Sequence, residues 1–512
     1  MISRLFRFRG GIKPASHKAE SSAAPIRPAP LPRRLVVPLI QGSRGSARTI
    51  VTAGDKVLKG QCIGEAEGAG GTAIHAPASG TVLEIGRYPM AHPSGLESLA
   101  IVIEPDGEDR WIATEPLDPA SASREDLILR IQASGIVGMG GATFPSHVKL
   151  GKGDGISTLL INGAECEPWI TCDDRLMRER AVDVVTGARI LRQLSGARRI
   201  VVGIEDNKPE AIAAMTAAVR ESGAGDIDIV PVPTRYPAGG EKQLIRVLTG
   251  IEVPASKIAS DFGVQCFNVG TAHAVCRALV HGEAMISRIV TVTGNVERPG
   301  NYEVALGTPV SHLLEFCGVK AGTSRILMGG PMMGFTLPST EAPVTKGSNC
   351  IIAASPALFP PAPPEQPCIR CGSCASACPV GLHPFELYWL SRAKRFDDAS
   401  KYRLFDCIEC GCCAYVCPGH IPLVDYFRFA KSEIRALGEE QKAASQARTR
   451  FESRVARLAR EKAEKAARLA AKVAETRAGL AAGDAALIAA AAERAKAQPA
   501  VADNDTSPTD PT

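Results

Sequence analysis

The chain has 512 residues, a net charge of +5 and 45% hydrophobic residues, so we expect several globular domains rather than one core. The mild charge, the 5% aromatic content and the lack of helix-turn-helix or RNP-like motifs argue against nucleic-acid binding. No stretch has the length of a transmembrane helix. The first eleven residues lack the apolar core of a secretory signal, so any membrane association should be peripheral or through partner subunits.

The first hundred residues predict an arm followed by a β module. An excess of proline, serine and alanine predicts that residues 1–34 form an extended N-terminal arm. Residues 35–112 have short strand patterns, and segments 49–60 and 75–82 resemble the barrel-sandwich hybrid of biotinyl and lipoyl domains. Those carriers present a modified lysine on a hairpin. The corresponding segment here, 65–72, has no lysine, which predicts a structural module rather than a swinging-arm carrier.

Residues 120–285 alternate helical and strand patterns, which predicts an α/β domain. The predicted helices are Arg124–Ala133 and Pro209–Ser222, and the predicted strands are Ser157–Ile161, Arg199–Ile204 and Ile227–Val232. Proline near the first turn supports the second helix, because the nitrogen there needs no hydrogen-bond partner.

A glycine-rich loop, Gly138–Pro145, lies between the first helix and the first strand of this domain. Closely spaced glycines let backbone N–H groups converge on a phosphate, and Lys149 could add a positive charge. A loop of this kind alone is also compatible with an ordinary tight turn.

Three further polar clusters, at 162–168, 236–242 and 268–271, strengthen the hypothesis of a cofactor site. The first directly follows a predicted strand, and α/β proteins bind ligands at the carboxyl ends of strands. No side chain is assigned a catalytic role. The candidate cofactor-binding residues are Gly138, Gly140, Gly141, Lys149, Asn162, Glu165, Glu167, Gly239, Glu241, Asn268 and Thr271.

Residues 286–354 return to strand patterns. The strand Ile289–Gly294 and the turn within Arg298–Val304 resemble the soluble-ligand-binding β-grasp module. The proline-rich segment 355–367 is predicted to be a linker.

Two cysteine runs follow the linker, and each has the form C-x₂-C-x₂-C-x₃-C-P, which is typical of [4Fe–4S] ligands. The fourth cysteine of each such run usually serves the other cluster. We therefore assign Cys368, Cys371, Cys374 and Cys417 to one cluster, and Cys407, Cys410, Cys413 and Cys378 to the other. The alternatives are zinc knuckles or a disulfide framework, although zinc sites normally use two separated pairs of ligands.

The other eight cysteines show no pattern, and a reducing compartment predicts that they are free thiols. They are Cys62, Cys166, Cys172, Cys266, Cys276, Cys317, Cys350 and Cys412. Cys412 lies inside the second run, but the spacing favours Cys413 as the ligand.

Helical patterns at Pro384–Phe396 and Leu423–Leu437 predict that residues 368–437 form an α-helical ferredoxin-like domain with two clusters. Residues 438–512 are predicted to form an Ala-rich basic helix and a disordered tail. Apolar residues recur along this helix at helical spacing. It is either a solvated helix or one that docks to a partner or to an anionic membrane surface.

The α/β segment resembles the flavin- and NADH-binding subunit of respiratory complex I. That family has a GRGGAGFPTG loop, an N-x-D/A-E-x-E-P stretch and a Y-x-x-G-E-E turn, which correspond here to the glycine-rich loop and to the clusters at 162–168 and 236–242. The chain departs from the family pattern at Met139, at Thr143 and in keeping only one acid, Glu241, in the tyrosine turn.

The whole chain, from residue 10 to about 435, resembles the C subunit of the bacterial Rnf/Rsx-type electron transport complex. The shared features, in order, are Gly10–Pro14, the barrel-sandwich module, Glu165–Thr171, Asp173–Arg175, Met328–Gly334 and the two cysteine runs. The resemblance implies a multidomain α/β plus α+β protein with FMN and two [4Fe–4S] clusters. It also implies a peripheral subunit on the cytoplasmic face of the inner membrane, bound to integral-membrane and other subunits of an ion-translocating complex and passing electrons between NADH and soluble ferredoxin.

Two other functions remain open at this point. One is a soluble flavin and iron–sulfur reductase, such as the cobalamin reductase of bacterial microcompartments. The other is a non-catalytic electron-relay scaffold with a degenerate flavin pocket, which the departures at Met139 and Thr143 keep open.

Overall fold

A computed structural model describes residues 4–43, 45–68, 70–151 and 155–497. The chain divides into two compact units, Met1–Lys431 and Ser432–Thr512. The first unit contains the N-terminal arm, three layered domains and both cysteine runs. The second consists, in its described part, of a single helical segment.

The N-terminal arm is fixed to the rest of the first unit by backbone hydrogen bonds. Its regular elements are α1 (Ala19–Ser22) and β1 (Arg27–Pro28). The Phe6 N–H donates to the Val247 carbonyl oxygen over 3.0 Å, and the Gly11 N–H donates to that of Ala377 over 2.9 Å. The arm is therefore not simply extended, as its composition predicted, because it contains a helical turn and a strand that joins a sheet.

The barrel-sandwich region forms two antiparallel sheets around one apolar core. Its strands are β2 (Leu35–Pro38), β3 (Ala47–Thr49), β4 (Lys56–Val57), β5 (Cys62–Ala66), β6 (Ile74–His75), β7 (Gly80–Pro89) and β8 (Glu97–Pro105). One sheet has the order β2-β8-β7-β4 and the other β3-β5-β6. Apolar side chains of both sheets, such as Val37, Ile63 and Ile101, are completely buried between them.

The next domain has a parallel four-stranded sheet in the order β11-β10-β9-β12, flanked by helices. Its strands are β9 (Thr158–Gly163), β10 (Arg199–Glu205), β11 (Ile227–Val232) and β12 (Val264–Asn268). Its helices are α2 (Arg124–Ala133), α3 (Ser146–Leu150), α4 (Cys172–Glu179), α5 (Ala181–Ser195), α6 (Pro209–Glu221), α7 (Glu241–Thr249) and α8 (Val269–Val280). The α/β prediction is thus correct, and the α2 and β11 bounds match the predicted ones.

Local sequence signals explain several of these helix ends. The Ser123 side chain accepts a hydrogen bond from the Asp126 N–H and caps α2, whereas α6 begins at Pro209. Helices α5 and α8 approach closely because Gly187 has no side chain. A Cβ there would lie 1.8 Å from the Ala272 carbonyl oxygen.

The region after this domain is a mixed sheet covered by one helix. Its elements are β13 (Ser287–Gly294), β14 (Gly300–Ala305), α9 (Val310–Cys317), β15 (Arg325–Met328), β16 (Phe335–Thr336) and β17 (Cys350–Ala354). The sheet order is β1-β14-β13-β17-β15-β16, so the arm supplies the edge strand. Strands β13 and β17 are parallel neighbours at its centre.

The cysteine-rich region is helical, and residues 368–437, all of them described, contain no strand. Its helices are α10 (Ser373–Ala377), α11 (Pro384–Arg392), α12 (Phe396–Lys401), α13 (Cys412–Tyr415) and α14 (Leu423–Lys496). The predicted helix Pro384–Phe396 is wrong at its end, because the chain turns at Lys394, which has a φ of 56°, before α12 begins.

The prediction that a helix ends at Leu437 is also wrong, since α14 continues for 74 residues in total. The following sequence is rich in alanine, lysine, glutamate and arginine, which favour helix, and the single Gly438 does not interrupt it. From residue 435 to 497 every described residue of this helix is exposed. Among the described residues, no helix is both long and apolar enough to cross a membrane. The predicted disordered tail lies outside the described residues.

Candidate functional site

The predicted cofactor residues converge at the carboxyl edge of the parallel sheet. Asn162, near the end of β9, donates through Nδ2 to the Gly239 carbonyl oxygen over 2.8 Å. The Met139 N–H donates to Thr271 Oγ1 over 2.9 Å, which joins the glycine-rich loop to the start of α8. Segments far apart in sequence therefore line one edge, where ligands bind in parallel α/β sheets.

The glycine-rich loop has an open backbone. The Gly138 N–H donates to the Phe144 carbonyl oxygen over 2.8 Å and closes the loop. At its tip Gly140 and Gly141 are exposed. Gly141 has a φ of 102°, and no atom lies within 4 Å of the position that a Cβ would take. Because this leaves space beside the exposed amides, the loop fits a flavin phosphate.

Lys149 lies beside the loop but already has protein partners. Its Nζ donates to Glu241 Oε1 over 2.7 Å and to the Cys266 carbonyl oxygen over 2.5 Å. The Lys149 side chain is 29% exposed and that of Glu241 is 46% exposed. The two candidates are therefore partners, and a phosphate at the loop would compete with Glu241 for the ammonium group.

Glu165 holds the beginning of α4. Its Oε1 accepts a hydrogen bond from the Asp173 N–H over 2.6 Å, and the Lys18 ammonium lies 3.9 Å from its Oε2. Burial raises the pKa of Glu165 to about 8, although the Lys18 charge acts in the opposite direction. The Glu165 carboxylate already accepts hydrogen bonds from α4 and has an ionic partner in the arm, so its contact with a cofactor stays a prediction.

Glu167 joins this domain to the loop that follows β15. Its Oε1 accepts hydrogen bonds from the N–H groups of Met332, over 2.7 Å, and of Met333, over 3.1 Å. Gly330 allows this approach, because a Cβ there would lie 2.1 Å from Glu167 Cγ. Burial raises the pKa of Glu167, and the two amides partly offset that rise. Contact between Glu167 and a cofactor also stays a prediction.

Sequence reasoning missed three basic residues around the site, of which Arg288 and Lys346 are buried and Lys18 is partly buried. Lys18, in the arm, donates to the Glu165 carbonyl oxygen over 2.7 Å, and Arg288, on β13, donates to that of Met139 over 2.8 Å. Lys346 donates to the Ala73 carbonyl oxygen over 2.8 Å. A single basic residue inside a strand or arm has no distinctive spacing, so no sequence pattern indicated these roles.

The eight predicted cluster cysteines form two groups, each lining its own recess. Cys368, Cys371, Cys374 and Cys417 line the first recess, and we call them the outer thiol set. Cys378, Cys407, Cys410 and Cys413 line the second, and we call them the inner thiol set. Each recess contains the first three predicted ligands of one run and the fourth cysteine of the other, and Cys412 also lines the second recess. The ligand assignment itself stays a prediction.

The spacing of the thiols favours clusters over single metal ions. A tetrahedral zinc ion with bonds of about 2.3 Å would hold its sulfur ligands about 3.8 Å apart. Among the described residues, the groups whose ligand atoms lie within 4.8 Å of one another contain none of these eight cysteines. All sixteen cysteines lie in described segments, and none forms a disulfide. The residues therefore fit two iron–sulfur clusters.

The two runs repeat one backbone shape. Arg370 and Glu409 occupy equivalent positions and have φ angles of 54° and 57°. Gly372 and Gly411 follow at the next equivalent position, with φ of 78° and 79°. A positive φ at both positions turns each loop so that its thiols converge, and glycine adopts this conformation without strain.

The two thiol sets differ in their surroundings. The Tyr236 hydroxyl of the α/β domain donates to the Cys410 carbonyl oxygen over 2.6 Å. A Cβ at Gly411 would lie 2.7 Å from the Met332 carbonyl oxygen, whereas one at Gly372 would meet nothing within 4 Å. In the outer set Cys371 is exposed. The inner set thus lies against the α/β domain, and the outer set reaches the surface.

Comparison with known proteins identifies the family. The C subunit of the ion-translocating oxidoreductase complex of Yersinia pestis bv. Antiqua (strain Antiqua) is 51% identical over 466 residues, which cover 90% of this chain and 74% of that protein. Its counterpart in Pectobacterium carotovorum subsp. carotovorum (strain PC1) is 50% identical over 467 residues, covering 90% of this chain and 62% of that protein. The chain belongs to this family of C subunits. The resemblance drawn from the sequence is confirmed.

Four family models match successive parts of this C subunit. They are the RnfC barrel sandwich hybrid domain over residues 6–108, the Nuo51 FMN-binding domain over 131–277, the SLBB domain over 289–336 and the 4Fe-4S dicluster domain over 367–421. The C subunit is therefore an oxidoreductase subunit with an FMN-binding domain and a domain for two [4Fe–4S] clusters, and these predicted cofactors are confirmed.

Solved structures of a NAD⁺-reducing [NiFe]-hydrogenase show a weaker likeness. In the H₂-reduced state, one chain has a TM-score of 0.45 and 17% identity, covering 61% of this chain and 62% of that chain. In the air-oxidised state the TM-score is 0.42. A likeness of this degree carries no argument about function.

Proposed function

We propose that this C subunit is the electron-entry subunit of its complex and that it passes electrons between NADH and ferredoxin. The observation that carries the proposal is the position of the inner thiol set. It lies against the FMN-binding domain through Tyr236, while the outer thiol set has an exposed cysteine. The chain therefore places one thiol set next to the FMN-binding domain and the other at the protein surface.

The chain's own residues hold the flavin by its phosphate. Gly140 and Gly141 are exposed, the space beside Gly141 is free, and Lys149 supplies a cation in the following helix. Asn162 and Asn268 fix the loops around this edge rather than carrying charge. Bound FMN would supply the chemistry that takes an electron pair from NADH and releases single electrons to the clusters.

The thiol sets position the clusters at different depths. We assign the inner set to the cluster that receives electrons from the flavin side and the outer set to the cluster that exchanges electrons with a partner. Three inner cysteines, Cys378, Cys410 and Cys413, are buried, so water is largely excluded around them. Exposure of Cys371 and of Ile369, which is 72% exposed, leaves the outer loop accessible to a partner.

Family membership supports a proposal about the location and partners of the protein. We infer that the protein is peripheral, lies at the cytoplasmic face of the inner membrane and contacts integral-membrane subunits of the complex. The support is the name of its relatives as a subunit of an ion-translocating complex. The exposed, basic segment of α14 is a candidate for docking to another subunit or to anionic lipid.

One observation favours an alternative function, a relay scaffold that holds clusters but no flavin. Lys149 is already paired with Glu241, and Met139 and Thr143 depart from the complex I loop. In this alternative, the loop would be an ordinary turn and electrons would enter from a partner rather than from NADH.

An anaerobic titration distinguishes these functions. The full-length protein, reconstituted with iron, sulfide and FMN and then desalted, is titrated with NADH while flavin and cluster absorbance are followed. We expect retained FMN and bleaching of both chromophores. Clusters that bleach with dithionite but stay oxidised with NADH, together with loss of FMN on desalting, would overturn the proposal. Cys410→Ser adds a control, because flavin should still bleach with NADH while the outer cluster stays oxidised.

A further inference from the structure

Lys431 is a buried cation beside the inner thiol set. It lies in the first turns of α14, and its side chain is 6% exposed. Its Nζ donates to the Cys407 carbonyl oxygen over 2.6 Å and to Glu409 Oε1 over 2.7 Å. The ammonium group thus holds both the first cysteine of the inner loop and the residue before Cys410.

Among the described residues, the outer thiol set has no buried counterpart of Lys431, and the cation on its own loop, Arg370, is exposed. The two cysteine runs and the helices after them form a sequence repeat. In this repeat, Lys431 of the second copy corresponds to Arg392 of the first, which is the last residue of α11. Arg392 is exposed, and its Nη1 donates to the Tyr388 hydroxyl over 2.7 Å. Within the described part of the chain, no hydrogen bond joins Arg392 to the loop of the first cysteine run. The two repeats therefore differ at this position in both burial and contact, and they also differ in charge where Arg370 of the first corresponds to Glu409 of the second.

A buried positive charge favours the more negative, reduced form of a cluster held by thiolates. Reduction potentials of clusters depend on net charge, hydrogen bonds and exposure to solvent. A charge that is nearly excluded from water acts strongly because solvent and salt screen it little. We propose that Lys431 is a positioning residue that raises the reduction potential of the inner cluster and leaves that of the outer cluster unchanged.

The acidic partner of Lys431 does not cancel this effect. Glu409 also pairs with Arg428, whose Nε lies 3.1 Å from Glu409 Oε2, so two cations surround one carboxylate. Lys431 and Arg428 carry two positive charges against the single negative charge of Glu409. The net charge of this group beside the inner thiols is therefore positive. A higher inner potential would draw electrons from the flavin side into the buried cluster.

The test is an anaerobic redox titration of the reconstituted full-length protein, followed by electron paramagnetic resonance. Lys431→Met should lower the midpoint potential of one cluster signal, and Lys431→Arg should restore most of it. Glu409→Gln should raise the same midpoint, because it removes the opposing charge. Arg392→Met, at the equivalent position of the first repeat, is the matched control and should move neither midpoint. Cys371→Ser identifies the outer signal by abolishing it.

The inference rests on the proposed role of the inner thiol set as cluster ligands, and iron content separates the two possible failures. If Lys431→Met binds as much iron as the parent protein and both midpoints stay the same, the inference is wrong. Equal shifts of both midpoints would also overturn it. If Lys431→Met binds less iron, Glu409→Gln alone decides the question, and an unchanged or lowered midpoint in that variant refutes the inference. If Cys407→Ser leaves both signals of the otherwise unaltered protein intact, the ligand assignment fails instead.

Discussion

The Tyr236 hydroxyl donates a hydrogen bond of 2.6 Å to the carbonyl oxygen of Cys410, which joins the FMN-binding domain directly to the inner cysteine loop. Both residues are buried. The loop between Cys407 and Cys413 therefore takes part of its shape from a residue that lies far away in the sequence.

Tyr236→Phe should lower the free energy of unfolding by about 1–3 kcal/mol, because it leaves a buried carbonyl without a partner. The measurement is urea unfolding of the apoprotein, followed by tyrosine and tryptophan fluorescence. Tyr415→Phe is the matched control, since Tyr415 is 57% exposed and should contribute little. Equal losses of stability in the two variants would contradict the role assigned to the Tyr236 hydrogen bond.

The exchange of the fourth cysteines between runs predicts which variants share a phenotype. Cys417→Ser and Cys371→Ser belong to different runs but to one thiol set. Each should therefore lower bound iron from about eight to about four atoms per chain and abolish the same paramagnetic signal. Cys378→Ser should abolish the other signal. The control is Cys412→Ser, which should retain both clusters. If Cys417→Ser removed the signal lost in Cys410→Ser, the exchange would be refuted.

Lys149→Met should weaken FMN binding about 10- to 100-fold, because it removes a charge-assisted contact of about 1.5–3 kcal/mol with the phosphate. Isothermal calorimetry with FMN, and with riboflavin as the phosphate-free probe, measures the effect. Riboflavin affinity should not change. Lys242→Met is the control, since Lys242 donates instead to carbonyl oxygens of the 254–257 turn. Glu241→Gln should strengthen FMN binding because it frees the Lys149 ammonium.

Lys346 should make stability depend on pH. Burial lowers the pKa of Lys346 from 10.5 to about 7 in the folded protein. Between these values the unfolded chain binds a proton that the folded chain does not, so this group makes the protein more stable as pH rises from 7 to 10.5. The slope should approach about 1.4 kcal/mol per pH unit within that window.

Urea midpoints at several pH values test this dependence. Above pH 7, the stability of Lys346→Met should increase less steeply with pH than the stability of the parent protein. Lys320→Met, which removes an exposed lysine, should keep the parental slope. Identical slopes in the parent and in Lys346→Met would show that Lys346 does not titrate in this range.

Local sequence patterns were sufficient for several elements. The α2 helix begins after a capping serine, and the β11 strand has the residues expected of a buried strand, so both have their predicted bounds. The polar cluster at 162–168 was expected at the carboxyl end of a strand, and Asn162 lies near the end of β9. Each of these inferences rests on signals within a few neighbouring residues.

Local sequence patterns did not predict where some helices end, and they did not predict contacts with residues far away in the sequence. The sequence predicted one helix that ends at Leu437 and a separate Ala-rich helix after it, whereas α14 runs without a break from Leu423 to Lys496. The partners of Glu165 and Glu167, which are the start of α4 and the loop after β15, also could not be foreseen. Such contacts depend on how separate segments pack, and the residues next to each glutamate in the sequence do not indicate that packing.

The sequence by itself determined the chemistry of this protein, because eight cysteines at cluster spacing and a glycine-rich loop between a helix and a strand are local properties of the chain. Only the tertiary structure decided how that chemistry is arranged. It placed Tyr236 against Cys410 and buried Lys431 beside Cys407. The physical reason is that ligand type follows from the residue, whereas burial, electric field and solvent access follow from the segments that pack around it.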